Sequence, residues 1–252
     1  MDYYTTLLKM GCFTLEDVAA LTDNVNTAGS VLQANKKKGR IVSVRRNLYA
    51  AVNPMTDEPV PTPYEIASHI STDSYVSHHS AFEMHGMANQ IFSDLYVSST
   101  SKFNPFEFDG RRFLRIESKF ANGVKTIGKV RVTDLERTIV DSIKDFTKIG
   151  GLEELLRCLT MVTYADAEKL IHYLTLYNNR FLWQKAGYIL SNFPNMKLSP
   201  EFFYECKNHI GKSVRYLYPE LNFEGSDYAP KWRIFVPKNM MELLGEGGTS
   251  LV

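Results

Sequence analysis

Cysteine is scarce in this sequence, and its few copies are widely spaced. Cys12, Cys158 and Cys206 are the three cysteines in 252 residues. Neither an even-numbered disulfide framework nor the short paired spacing of a zinc site is present. We therefore expect reduced thiols that are buried as small apolar side chains in a cytoplasmic protein.

Long apolar runs are also missing. No stretch of the sequence approaches the roughly 18 consecutive apolar residues that span a bilayer. The opening residues, MDYYTTLLKM, begin with an acid and lack the basic-then-apolar order of a signal peptide. An apolar fraction of 44% favours a well-packed chain of one or two domains. We expect a cytoplasmic location and no membrane partner.

Common catalytic signatures are absent as well. There is no phosphate-binding GxxxxGKS/T loop, no GxSxG elbow and no GxGxxG turn. The segment VTDLERTIVDSI holds acids that could bind magnesium, but structural roles account for them. Asp134 suits the first turn of a helix, and Thr133 with Glu136 predicts a capping box. Arg137 and Asp141 form an i, i+4 pair. We therefore expect no catalytic residues and no enzyme activity.

A histidine-rich segment, SHHSAFEMHG (77 to 86), raises the question of a metal site. His79 and Glu83 lie four residues apart, and both side-chain types bind zinc or iron. However, His78 and His79 point in different directions from a helix, and no HExxH pattern is present. We expect a packed helix that ends at Gly86, with no metal and no cofactor.

Positive charge is the feature that stands out. The whole chain has a net charge of +1, yet NKKKGRIVSVRRNLYA (35 to 50) carries six positive charges and no negative one. A local block of this kind inside a nearly neutral chain predicts an anion-binding surface.

The elements around this block follow a recognisable order. The apolar spacing predicts a first helix that Gly11 ends, and a second helix that Thr14 caps together with Asp17. A third helix should start at Asn26 or Thr27 and run to about Lys38, before Gly39. Strand-forming residues then flank a tight turn at Arg46-Asn47. Helix, turn, helix and hairpin are the order of a winged helix-turn-helix, which we predict for residues 1 to 55.

The rest of the chain predicts a second, α+β domain. The proline-rich NPMTDEPVPTP (53 to 63) indicates a linker, so we place this domain at 60 to 252. Its residues 94 to 132 are rich in strands, with turns at Asp109-Gly110 and Asn122-Gly123 that favour an antiparallel sheet. Residues 133 to 211 are mostly helical. WRIFVP (232 to 237) predicts a late strand that joins the sheet of this domain.

The winged-helix geometry assigns roles to the basic block. The third helix enters the major groove, and the wing lies along the phosphate backbone. Ser30 and Gln33 have the polar side chains that suit base edges, and six phosphate contacts would give a log–log salt slope of about −5. The predicted DNA-binding residues are Asn26, Thr27, Ser30, Gln33, Lys36, Lys37, Lys38, Arg40, Arg45, Arg46, Asn47 and Tyr49.

These residues resemble those of a known family. FTLEDVAAL and VLQANKKKGRIVSVRRNLYA are similar to the N-terminal winged helix of the AbiEi antitoxins, which belong to type IV toxin–antitoxin pairs of abortive infection. The family's wing ends in Arg-Gly-x-Tyr-Ala, and here Asn47 stands in place of that glycine. YVSHHSAFEMHGM, VTDLERTIVDSI and WRIFVP resemble later family segments, in the same order.

The resemblance implies a function. Such antitoxins repress their own operon by binding its promoter, and they counteract a nucleotidyltransferase-type toxin in phage defence, with no need for direct contact. We expect double-stranded DNA with inverted repeats as the partner. Three alternatives stay open: a stand-alone regulator whose second domain senses a ligand or dimerises, a DNA-targeted nuclease or transferase, and a protein-binding use of the winged helix.

Overall fold

The chain is of mixed α+β architecture and divides into two compact units. A computed structural model describes residues 3 to 244. The first unit comprises the described residues up to Val76, together with Phe92–Ser118 and Val124–Val132. The second comprises Ser77–Ile91, Lys119–Gly123 and the described residues from 133 onward. Across residues 3 to 244, no helix has both the length and the apolar character needed to cross a bilayer.

This division does not coincide with the predicted boundary between residues 55 and 60. The strands at 94 to 132 group with the N-terminal elements, whereas the helices that follow those strands belong to the second unit. A proline-rich segment marks a break in regular structure, but it does not determine which segments pack together. That residues 1 to 55 form a domain of their own stays a prediction.

The N-terminal part of the first unit combines short helices with a small sheet. In chain order its elements are α1 Tyr4–Met10, β1 Cys12–Phe13, α2 Leu15–Thr22, α3 Val25–Lys37, β2 Ile41–Arg45 and β3 Leu48–Ala51. The strands form an antiparallel sheet in the order β1-β3-β2. Gly11 ends α1 with a φ of 76°, and Thr14 forms a capping box with Asp17, as predicted.

Helix α3 begins earlier than Asn26 or Thr27, so that prediction was wrong. The Asn24 side-chain oxygen accepts hydrogen bonds from the backbone N–H groups of Asn26 and Thr27, at 2.8 and 3.0 Å. These bonds satisfy two of the N–H groups that the first helical turn leaves free. At the other end Gly39 has a φ of 69°, and the Arg40 N–H donates to the Asn35 carbonyl. This glycine stop was predicted.

Apolar side chains from all of these elements share one core. Helix α3 contributes Ala28 and Leu32, which recur at helical spacing on its inner face. The buried members of the core are Leu7, Phe13, Val18, Ala28, Leu32, Ile41 and Ala51. Because the strands cover one side of α3 and α2 lies against it, the opposite side of α3 remains at the surface.

One helix and a larger sheet complete the first unit. The helix is α4 Pro63–Ser68. The strands of the sheet are β4 Tyr75–Val76, β5 Asp94–Ser99, β6 Phe106–Phe108, β7 Arg111–Glu117, β8 Val124–Ile127 and β9 Val130–Thr133. The strand order is β6-β7-β5-β4-β9-β8. The predicted turn at Asp109-Gly110 closes the antiparallel β6–β7 pair, with φ values of 50° and 71°.

The sheet is not antiparallel throughout, contrary to our prediction. Strand β5 pairs in parallel with β7 over the full length of β5, and β4 pairs in parallel with β9. Turn residues reveal only pairings between neighbours in sequence, whereas a parallel pair is joined by a longer connection. The chain also turns at Asn122-Gly123, but the turn between β8 and β9 lies at Gly128-Lys129.

The second unit is mostly helical, as predicted for 133 to 211. Its elements are α5 His78–Met84, α6 Leu135–Asp145, α7 Gly151–Thr160, α8 Ala167–Tyr177, α9 Arg180–Leu190, α10 Pro200–His209, β10 Arg215–Tyr216, β11 Ser226–Ala229 and β12 Ile234–Pro237. Strand β12 was expected to join the large sheet. Instead it lies between β10 and β11 in a separate sheet. Strand-forming residues predict a strand without identifying its partner.

The predicted capping box at the start of helix α6 was wrong. Its N-cap is Asp134, whose side chain accepts a hydrogen bond from the Arg137 N–H at 2.8 Å, and not Thr133. Glu136 does not close a capping box, because its carboxylate accepts the Asp166 N–H at 3.0 Å. The predicted Arg137–Asp141 pair is present, and both side chains are only 1% exposed.

Candidate nucleic-acid interface

The outer face of α3 carries short polar side chains. Asn26, Ser30, Gln33 and Lys37 are all exposed, whereas Ala28 and Leu32 on the opposite face are buried. These four predicted DNA-binding residues therefore lie at the surface. The Ser30 hydroxyl donates to the Asn26 carbonyl at 3.1 Å, so its oxygen lone pairs point away from the helix and can accept hydrogen bonds.

Three lysines follow this face at the end of the helix. Lys36, Lys37 and Lys38 are exposed, and a cation in the last helical turn interacts favourably with the helix dipole. The Lys36 ammonium donates to the Ser43 hydroxyl of β2 at 2.8 Å. This bond links the end of α3 to the hairpin, so both elements present their cations on a defined framework.

The hairpin turn is held against the start of α2. Asn47 has a φ of 58°, as the turn chemistry predicts. Its side-chain oxygen accepts the Leu15 N–H at 3.1 Å, and its amide nitrogen donates to the Glu16 carboxylate at 2.7 Å. The hydrogen bond from Asn47 lowers the pKa of Glu16. Asn47 therefore positions the turn through the protein itself, while the neighbouring Arg46 is exposed.

We expect Asn47→Ala to destabilise the chain more than Asn47→Gly does. Both changes remove two hydrogen bonds, each worth roughly 0.5–1.5 kcal/mol. Only alanine must also hold a positive φ, which costs about 1–2 kcal/mol more. Urea unfolding of the full chain measures both free energies. Equal losses for the two variants would show that the backbone conformation of the turn is not a source of strain.

Other predicted contact residues lie against aromatic rings. The Arg45 guanidinium is 5.4 Å from the Phe103 ring centroid and 5.3 Å from that of Phe106, and burial lowers its pKa. Arg40 lies 4.7 Å over the ring of Tyr4. These contacts were not predicted, because cation–π pairs leave no signal in sequence spacing. Both arginines are held partly within the protein.

Tyr49 is also half-buried. It stacks on Phe13, with the ring centroids 6.4 Å apart, and packs against the core. The predicted residues thus lie together on α3 and the hairpin, but they differ in exposure: some are at the surface, and others lie against aromatic rings. The cations that are exposed are Lys36, Lys37, Lys38 and Arg46. Four phosphate contacts would give a salt slope of about −4 in place of the predicted −5.

Comparisons with known proteins establish a fold. No family model matches the chain, and no curated protein does so either. Among solved structures, the crystal structure of the RV2827C protein from Mycobacterium tuberculosis is similar, with a TM-score of 0.68 and 17% sequence identity. The similarity covers 98% of this chain and 94% of that chain. At this identity the likeness is one of architecture alone.

Proposed function

We propose that the N-terminal segment binds double-stranded DNA as a winged helix-turn-helix. One observation carries the proposal: the exposed polar face of α3 runs directly into the lysines at its end, where Lys36 donates to Ser43 of β2, the strand that leads to the exposed Arg46. The order α1, β1, α2, α3, β2 and β3, with the small sheet β1-β3-β2, is consistent with this use.

In this proposal α3 lies in the major groove. Gln33 can form a bidentate pair with adenine, and the Ser30 hydroxyl can accept from a base edge. The phosphates at one side of the groove are contacted by Lys36, Lys37 and Lys38. Arg46 reaches the backbone from the wing. Asn47 and Tyr49, which are engaged within the protein, support the wing and make no base contact.

Fluorescence anisotropy of the full chain on DNA from directly upstream of its own gene tests this proposal. We expect preference for that DNA over a scrambled duplex and a log–log salt slope of about −4. Absence of binding at about 50 mM salt, where non-specific contacts already contribute, would contradict it. The basic face would then belong to a protein-binding surface.

We further infer that the chain is a transcriptional repressor and antitoxin without catalysis of its own. The resemblance of three ordered motifs to the AbiEi antitoxins supports this role. The expected partners are its own promoter and a nucleotidyltransferase-type toxin that it counteracts without direct contact.

Co-expression with a nucleotidyltransferase-type toxin encoded beside this gene tests the antitoxin role. We expect the full chain to restore growth that the toxin alone stops. Persistent toxicity, together with intact promoter binding, would instead support a stand-alone regulator. The two outcomes separate the DNA-binding function from the antitoxin function, because only the second requires a toxin.

A further inference from the structure

A buried group of three different metal-binding side chains lies in the second unit. His79 comes from α5, and Glu154 and Cys158 come from α7, four residues apart. One ligand atom of each residue lies within 4.8 Å of the other two. All three residues are buried. Since 75 residues separate His79 from Glu154, no local motif joins them.

The orientation of the histidine suits a ligand. Its Nδ1 lies 3.0 Å from the Glu83 carboxylate, and its Nε2 lies 2.8 Å from the Glu154 carboxylate. When a carboxylate accepts the Nδ1 proton, the lone pair is on Nε2, which faces Glu154. Metal-binding histidines commonly carry such a carboxylate on the nitrogen that does not touch the metal.

The other two side chains converge on the same place. The Cys158 sulfur is 3.6 Å from the same Glu154 oxygen that lies near Nε2. The second oxygen of Glu154 accepts a hydrogen bond from the Gln90 amide at 3.1 Å. Glu154 is thereby held so that one oxygen faces both the imidazole and the thiol. Nitrogen, oxygen and sulfur are the ligand atoms that zinc accepts.

We propose that His79, Glu154 and Cys158 bind a divalent cation of the zinc class. A thiolate beside an imidazole selects zinc over magnesium or calcium, which require oxygen ligands. Three protein ligands leave one tetrahedral position, which a water can fill. The site joins α5 to α7 and has no part in the proposed DNA contacts. It departs from our expectation that the chain has no metal.

Binding requires the loss of protons. The thiol proton of Cys158 and any proton shared between Nε2 and the Glu154 carboxylate pass to solvent as the cation enters. Without a cation, the same geometry is a network of hydrogen bonds in which the imidazole bridges the Glu83 and Glu154 carboxylates. The state with a cation contains metal and a Cys158 thiolate, whereas the state without one contains no metal and a Cys158 thiol. One experiment that measures both properties separates the two states.

The test uses cobalt as a spectroscopic substitute for zinc. The full chain is stripped with a chelator, mixed with Co²⁺ and desalted before its absorbance and metal content are measured. We expect one cobalt ion per chain and a thiolate-to-cobalt charge-transfer band. A wild-type chain that retains no cobalt, or retains it without this band, would overturn the proposal without reference to any variant.

Matched variants locate the site. Cys158→Ser should lose the charge-transfer band, whereas Cys206→Ser, which changes another buried cysteine of the same unit, should keep it. Glu83→Gln should keep the band and weaken cobalt affinity by about 10- to 100-fold, as expected for the partner of a ligating histidine. A band that survives in Cys158→Ser, or disappears in Cys206→Ser, would contradict the assignment.

Discussion

Replacing Lys36, Lys37, Lys38 and Arg46 by alanine is expected to lower affinity for promoter DNA by about 10³-fold at roughly 0.1 M salt. These are the exposed cations of α3 and the hairpin turn. Each phosphate contact that is lost should also remove about 0.9 from the log–log salt slope, so the slope should fall from about −4 to shallower than about −1. Anisotropy titrations across a salt series measure both quantities.

A matched control separates local contacts from net charge. Replacing four exposed lysines of the second unit lowers the charge of the chain by the same amount without touching α3 or the hairpin. Suitable positions are Lys119, Lys207, Lys212 and Lys231. We expect this control to keep the slope of the wild-type chain. Equal losses in the two variants would mean that affinity depends on overall charge, and would contradict a local interface.

A further variant tests base reading. Gln33→Ala removes an exposed amide from the outer face of α3 and leaves every cation in place. A lost bidentate base contact should reduce discrimination by about 1–3 kcal/mol, with little change in the salt slope. Comparison of the upstream duplex with a scrambled one at a single salt concentration measures this difference. Unchanged discrimination would remove Gln33 from the base-reading residues.

The second large effect is expected in the interior of the second unit. Arg137→Ala should lower the free energy of unfolding by about 3–5 kcal/mol, because it leaves the buried Asp141 carboxylate without its cation. The Arg137 Nε donates to Asp141 at 2.6 Å, and Nη1 donates to the Asn122 carbonyl at 2.7 Å. The guanidinium also lies 3.8 Å from the Phe120 ring centroid. One side chain therefore holds two chain segments together, α6 and residues 120 to 122.

An exposed pair provides the control for this prediction. Arg157 and Glu153 have the same i, i+4 spacing and a 2.7 Å contact, but their side chains are 21% and 50% exposed. Arg157→Ala should cost only about 0.3–0.5 kcal/mol, because solvent screens the pair. Urea unfolding followed by circular dichroism measures both variants. Similar costs for the two would show that burial does not make the Arg137 pair important.

A double substitution tests whether the unpaired Asp141 charge causes the loss of stability in Arg137→Ala. Arg137→Met with Asp141→Leu removes both charges and retains apolar volume, so it should recover much of the stability that Arg137→Ala loses. A double variant as unstable as Arg137→Ala would indicate that the hydrogen bonds to the 120–122 segment matter more than the unpaired charge.

Local structure was predictable from the sequence to a large extent. The glycine stops at Gly11 and Gly39, the capping box at Thr14 and the turn at Asp109-Gly110 all occur where predicted. The helices between 133 and 211 do so as well. These features depend on residues within a few positions of one another, where backbone conformation and side-chain hydrogen bonding act over short distances.

It was harder to predict which of several neighbouring residues caps a helix. Asn24 begins α3 and Asp134 begins α6, although nearby residues offered equally plausible caps. Both Asp134 and Thr133 can accept from a helical N–H group, but Thr133 is the last residue of β9 and its hydroxyl is hydrogen-bonded to that of Thr138, so Asp134 is the cap. Both helices are therefore predictable from the sequence, but their predicted first residues are wrong.

Most helices and turns, the basic block and the amphipathic face of α3 are predictable from the amino-acid sequence alone, because periodicity and turn chemistry are local properties. Three contacts depend on the three-dimensional packing: β5 pairs in parallel with β7, Arg45 lies against Phe103 and Phe106, and His79 lies close to Glu154 and Cys158. Each of these contacts joins residues far apart along the chain. Such pairs meet only when the packing of whole elements brings them together, and neither spacing nor composition encodes that packing in a directly readable form.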